Sequence, residues 1–162
     1  MEEVTEYIKA EKTALRLIAR AEQCSAGLAR KLEKRKHDPA VIREVISKLI
    51  ELKLLNDSRF ARLWLQSRLR FTRTPRRLLA SLCARGIDRD EAESAIKEVL
   101  DAETEKTLLA RFVKKSARKL RNMRRKPGNN EGKGENVTRS LKFLLKGEGF
   151  SAAAIEEYLE ER

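Results

Sequence analysis

Three stretches of this chain share one cadence. Two leucines stand four residues apart, a capping residue follows six after the second, and an apolar stripe begins four beyond the cap. The stretches are LARKLEKRKHDPAVIREVISKL, LLASLCARGIDRDEAESAI and LKFLLKGEGFSAAAIEEYL. Leu28 and Leu32 precede Asp38, Leu78 and Leu82 precede Asp88, and Leu141 and Leu145 precede Ser151. Leucines at that spacing lie on one helical face, whereas a strand needs a period of two. After the caps, Ile42, Val45, Ile46 and Leu49 take offsets of four, seven, eight and eleven. Ala92, Ala95, Ile96 and Val99 repeat them, and Ile155, Tyr158 and Leu159 take the first three. A unit of two short amphipathic helices cannot bury its own apolar face, so units of this kind stack.

The turns carry their own signals. Gly86 and Gly149 supply a left-handed helix stop. Asp88 and Glu91 have the spacing of a capping box, Pro39 suits a first helical position, and Ile87 and Phe150 can staple onto the helix that follows them. A leading helix is expected before each pair, over 13–22, over 57–71 with Asp57 as its cap, and over 103–125. Thr74-Pro75 starts the middle helix of the second unit, and the only linker is Pro127–Glu135. The expected fold is all-α, a tandem array of three three-helix repeats. They cover 1–53 with an acidic N-terminal lead, 54–101, and 102–162 with a flexible insertion at 127–135. Such a nearly one-dimensional stack offers an extended concave surface.

The formal net charge of +12 points to a polyanion or an acidic protein surface as partner. The excess is concentrated. From Arg59 to Ile87 there are eight arginines and no acid, and from Arg111 to Lys126 nine basic residues and no acid. Such a run is usually a solvated helix face. An arginine-only run repels itself, however, and nothing in folding is expected to require it. Arginine also presents a planar fork that fits phosphate or carboxylate. Arg68, Arg70, Arg73, Arg76 and Arg77 surround the turn before Pro75, and Lys114, Lys115, Arg118 and Arg121 carry the second run. These are the candidate binding residues. Phe60 and Trp64, four apart on one helix, are either core or a partner-facing anchor.

Enzyme chemistry has little to stand on. The single histidine, His37, sits in a turn before the Asp38 cap. No metal-spaced Cys/His set, Gly-rich phosphate loop or nucleophile elbow is present, and no metal or cofactor is expected. Cys24 and Cys83 lie in helical patterns and read as small residues in a reducing cytoplasm. No apolar run approaches the roughly 20 residues that span a bilayer, and the start, MEEVTEYIKAEK, is unlike a secretory signal. A free-standing basic nucleic-acid binder of helix-turn-helix type is compatible with short helices and tight turns.

The stretch Leu54–Ala61, LLNDSRFA, resembles a signature of the RecX family, bacterial regulators of the RecA recombinase. Arg20-Ala21-Glu22-Gln23-Cys24-Ser25, with Leu28, Lys31 and Leu32, is similar to that family's first-repeat motif, and Ala84-Arg85-Gly86-Ile87 to its Lys-Gly-Ile turn. Asn56 stands where the family has aspartate, and Lys36-His37 where it has a glycine–aromatic turn. The resemblance covers roughly residues 13–160. It implies an elongated, curved array of three repeats, a cytoplasmic monomer of the recombinational repair and SOS systems. Such a protein lies in the groove of the RecA–DNA filament across adjacent protomers, restrains ATP hydrolysis and strand exchange, and limits filament growth. DNA is then met directly or through RecA, and no membrane is involved.

Overall fold

The computed structural model describes the backbone of residues 2–71, 73–124 and 133–160, and the side chains of residues 4–71, 73–117 and 138–160. All regular structure among the described residues is helical. In chain order the helices are α1 (Glu2–Arg20), α2 (Ser25–Glu33), α3 (Pro39–Glu51), α4 (Asp57–Leu69), α5 (Pro75–Cys83), α6 (Arg89–Val99), α7 (Ala102–Arg124), α8 (Lys133–Gly147) and α9 (Ala152–Glu160). They fall into three triplets, the all-α repeat array that the cadence requires.

Two compact units emerge from the packing. One comprises Met1–Trp64 and Ser81–Ala95, the other Leu65–Ala80 and Ile96–Arg162. The division passes through α4, α5 and α6, so the middle triplet is shared between them.

In the first unit Ala10, Ala14, Leu28, Leu32, Ile42, Val45, Leu49 and Leu55 form the core, with Tyr7, Leu17 and Ile18 packed against it. Full burial of a leucine contributes about 1.5–3 kcal/mol, so Leu28 and Leu32, both 0% exposed, anchor this core. The α1 stripe of Tyr7, Ala10, Ala14, Leu17 and Ile18 explains why α1 starts at Glu2 rather than at residue 13. The acidic lead is part of this helix. In the second unit Leu108, Leu109, Val113, Leu145, Phe150, Ala154 and Ile155 form the core, with Leu141 and Tyr158 beside it.

The expected caps at the turns form. Asp38 Oδ1 accepts the N–H of Ala40 at 2.7 Å, Asp88 Oδ1 that of Asp90 at 2.9 Å, and Ser151 Oγ that of Ala154 at 3.2 Å. Gly86 and Gly149 take φ of 90° and 88°. Lys36, four past Leu32 as Gly86 is past Leu82, takes the same left-handed turn with φ 64°. Ile87 and Phe150 are buried as staples. His37, in their place, bonds through Nδ1 to Glu6 Oε1 at 2.7 Å and ties the turn to α1.

Two local expectations are overturned. Asp57 does not cap its own helix: Asn56 does, accepting the Arg59 N–H at 2.7 Å. Glu91 does not close a box with Asp88, because its carboxylate accepts the Ser58 hydroxyl from α4. The expected linker 127–135 lies outside the described residues up to 132, and Lys133–Gly147 is already α8.

Asp57 instead serves α2, whose N-cap, Cys24, makes no side-chain cap bond. Its Oδ1 accepts both the N–H and the hydroxyl of Ser25, at 2.7 and 3.1 Å. This contact belongs to a joint in which the start of α2 meets the turn after α5. Cys24 Sγ and Arg30 Nη2 both donate to Arg85 O. Gly86 lies so close to Ala26 that a Cβ there would collide with the Ala26 Cβ. The second unit repeats the joint at equivalent positions, with the start of α5 against the turn after α8. Thr74 Oγ1 donates to Glu148 Oε2 at 2.7 Å, and the Arg76 N–H donates to Glu148 O at 3.0 Å. A Cβ on Gly149 would sit 3.0 Å from the Arg76 nitrogen.

Candidate functional site

The arginine-rich turn lies in the second unit, where α4 ends and α5 begins. Arg68 and Arg73 are half-buried, and Arg70, Arg76 and Arg77 are exposed. The turn is fixed from two sides. Phe71 N–H donates to Arg68 O at 2.9 Å, closing α4, and Leu78 N–H donates to Thr74 O at 3.0 Å, opening α5. Thr74 is 1% exposed, and its hydroxyl reaches the Glu148 carboxylate.

The expectation that folding has no use for these arginines is wrong for three of them. Arg59 donates from Nε to Glu22 Oε1 at 2.7 Å and from Nη2 to Leu54 O at 3.2 Å, which satisfies a carbonyl just beyond α3. Arg85 donates to Ser81 O at 2.7 Å and stacks its guanidinium 4.5 Å from the Trp64 ring centroid. Arg76, a candidate binding residue, donates from Nη1 to Gly147 O at 3.2 Å, the last carbonyl of α8. Unpaired carbonyls at helix ends attract such donors. Acid-poor sequence around an arginine therefore does not leave it free, because the main chain supplies acceptors.

Phe60 and Trp64 are half-buried, with the Trp64 ring covered in part by Arg85. Cys24 is buried, whereas Cys83 is exposed at the end of α5 rather than in a core.

The second basic run is on α7. Its inner face supplies Leu108, Leu109 and Val113 to the core, and Lys114 and Lys115 are exposed. The side chains of Arg118 and Arg121 lie outside the described residues. Asp101 caps the helix: its Oδ1 accepts the Thr104 N–H at 2.8 Å. Hydrogen bonds from the Thr104 side chain and main chain hold the Asp101 carboxyl below the usual aspartate range.

The fold brings the two basic runs to one cleft. Arg70, just past α4, and Arg111, on α7, line a depression of about 370 Å³ together with Leu69, Leu108, Thr107 and Glu103. Arg70 Nε donates to Ser67 O at 3.2 Å, which orients the fork, and its guanidinium lies 5.4 Å from the Phe71 ring centroid. Arg111 was not among the residues picked from sequence. Its signal is its spacing, since Arg111, Lys115 and Arg118 stand at offsets of zero, four and seven on one helical face. The arrangement offers forked cationic donors over an apolar floor, which suits an anion with a flat or aliphatic part. Among the described residues no group of three or more His, Cys, Asp or Glu side chains converges to hold a metal ion. Among those residues, too, no helix is long and apolar enough to cross a membrane.

Two family models match the chain. Residues 10–49 match the first three-helix domain of RecX and residues 56–96 the second. The regulatory protein RecX of Halorhodospira halophila is 40% identical over 102 residues, which span 62% of this chain and 61% of that protein. The regulatory protein RecX of Thermobifida fusca is 31% identical over 157 residues, 96% of this chain and 79% of that protein. A crystal structure of RecX from Lactobacillus salivarius superposes with a TM-score of 0.69 at 22% identity, over 98% of this chain and 97% of that one.

Proposed function

The chain belongs to the RecX family of regulatory proteins, and on that premise we propose that it is a non-enzymatic modulator of the RecA recombinase. It binds the RecA–DNA filament in its groove across adjacent protomers. From there it inhibits ATP turnover and strand exchange and limits filament growth. It works as a cytoplasmic monomer, organised as repeats over 1–53, 54–101 and 102–162. The observation that carries the reading is the match of both three-helix domain models in a chain of net charge +12. The basic turn before α5 supports it, since it presents exposed Arg70 and Arg77 on a framework pinned by Glu148.

The mechanism is linkage. A protein that binds one state of the filament better than another shifts the population toward that state, by no more than its difference in affinity. A tenfold preference corresponds to about 1.4 kcal/mol. Occupancy alone therefore suffices, and no bond-making step is needed.

The test is titration against RecA assembled on single-stranded DNA, following ATP turnover. Turnover falls as the chain approaches saturation of the filament. No change at amounts stoichiometric with RecA contradicts the proposal. The two basic runs also favour a second reading, a free-standing helix-turn-helix-like nucleic-acid binder. It requires sequence-selective duplex binding without RecA.

A further inference from the structure

We propose that the cleft between the end of α4 and the first turns of α7 seats one nucleotide of single-stranded DNA. Arg70 and Arg111 hold the phosphate, and the half-buried Leu69 receives the base. The proposal rests on the filament reading only in naming DNA as the polyanion.

Three observations converge on this occupant. The first is charge: the cleft is where the fold brings the Arg59–Ile87 run, without a single acid, to the acid-free run that starts at Arg111. Two arginines lining one cleft offer guanidinium forks, which match the oxygens of a phosphate.

The second is shape. A volume of about 370 Å³ falls within the range of small-molecule sites, roughly 300–1,000 Å³. An apolar floor has no use for a duplex, whose bases are stacked away from it. An unstacked strand can present a base to the half-buried Leu69, and Thr107 lines the same cleft. Phe71 is 49% exposed beside it, with Arg70 against its ring, and widens the platform for a neighbouring base.

The third is direction. Lys114 and Lys115 follow Arg111 along α7, about 4.5–6 Å further up the helix axis at 1.5 Å per residue. They extend the phosphate track away from the cleft. Glu103, eight residues before Arg111 on α7, also lines the cleft and repels phosphates there, so the strand runs toward Lys115.

The test measures single-strand binding by the full chain without RecA, using a labelled oligothymidine, the same strand with an abasic backbone, and a duplex. Arg70→Gln and Arg111→Gln should each lower the slope of log affinity against log salt by about 0.7, one phosphate on a single strand. The abasic strand should bind the unaltered chain several-fold more weakly than oligothymidine, and that difference should shrink in both variants. The duplex should be little affected by either change. Arg70→Lys and Arg111→Lys should keep the slope and lose affinity, because the charge stays and the fork goes. Both arginines are exposed, so melting temperatures should not move.

Unchanged slopes overturn the proposal, and so does a strand that the unaltered chain does not bind. Variants that keep strand binding but lose the RecA filament make the cleft a protein contact and also overturn it. The filament reading fails separately, if the unaltered chain leaves RecA turnover untouched while it still binds oligothymidine.

Discussion

The two joints place equivalent positions together with different chemistry. In the first, the middle-helix start offers Ser25 and Ala26, and the incoming turn meets a methyl group. Gly86 packs on Ala26, Cys24 and Arg30 donate to Arg85 O, and the charged cap comes from Asp57 in the next triplet. In the second, the corresponding positions are Pro75 and Arg76, and Gly149 packs on the main chain of Arg76. Here Glu148 binds Thr74, and the Arg76 guanidinium turns back to Gly147 O. The first joint uses none of the candidate binding residues. The second is built with a residue of the candidate binding surface, so it couples that surface to the fold.

The comparison breaks most visibly at the glycines. A left-handed position costs a residue with a Cβ about 1–2 kcal/mol, and overpacking adds about 1–3 kcal/mol. Gly86→Ala should therefore destabilise by about 2–5 kcal/mol, and Gly149→Ala by about 1–3 kcal/mol, since its Cβ would meet the Arg76 nitrogen at 3.0 Å, a milder clash than the one with Ala26. Thermal unfolding of the two variants checks the order. Ala26→Gly should relieve part of the Gly86→Ala loss in a double-mutant cycle.

The acids come next. Asp57→Ala leaves the Ser25 N–H and hydroxyl without their shared acceptor and should cost about 1–2 kcal/mol in denaturant titration. Glu148→Gln keeps an acceptor for Thr74 and should cost less, about 0.5–1 kcal/mol.

The arginines sharpen the contrast further. Arg76→Ala loses its bond to Gly147 O and should cost about 0.5–1 kcal/mol. Arg77→Ala, exposed on the same turn, should leave unfolding within about 0.5 kcal/mol of the parent. Equal losses would mean that the Arg76 side chain adds nothing to the joint.

The smallest effect is in acid. The folded carboxyl of Asp101 is held below its ordinary value by Thr104. Its contribution is therefore present above the unfolded pKa and is lost as pH falls through the lower folded one. Asp101→Asn should flatten the acid limb of the stability profile slightly.

Much of this was legible from residue spacing. The leucine pairs, the caps at Asp38, Asp88 and Ser151, and the turn glycines are each decided within about ten residues, where periodicity and capping rules act. Asp57 shows where such reading stops. A local rule assigns it to its own helix, but Asn56 takes that role and Asp57 reaches Ser25, 32 residues earlier. The arginines fail in the same way. Charge runs reveal excess cations, but Glu22, Gly147 O and the Trp64 ring, which hold Arg59, Arg76 and Arg85, are brought to them by tertiary packing. Arg70 and Arg111 stand 41 residues apart, and only the fold makes them neighbours. The LLNDSRFA resemblance carried the family, which no periodicity could have supplied.

Co-sedimentation with RecA filaments on single-stranded DNA, run beside the same DNA alone at matched salt, tests the central claim most directly. The chain should pellet saturably with the filament at a salt concentration where naked DNA no longer retains it. Retention that is equal on both, or absent from the filament, would contradict a regulator that acts by occupying it.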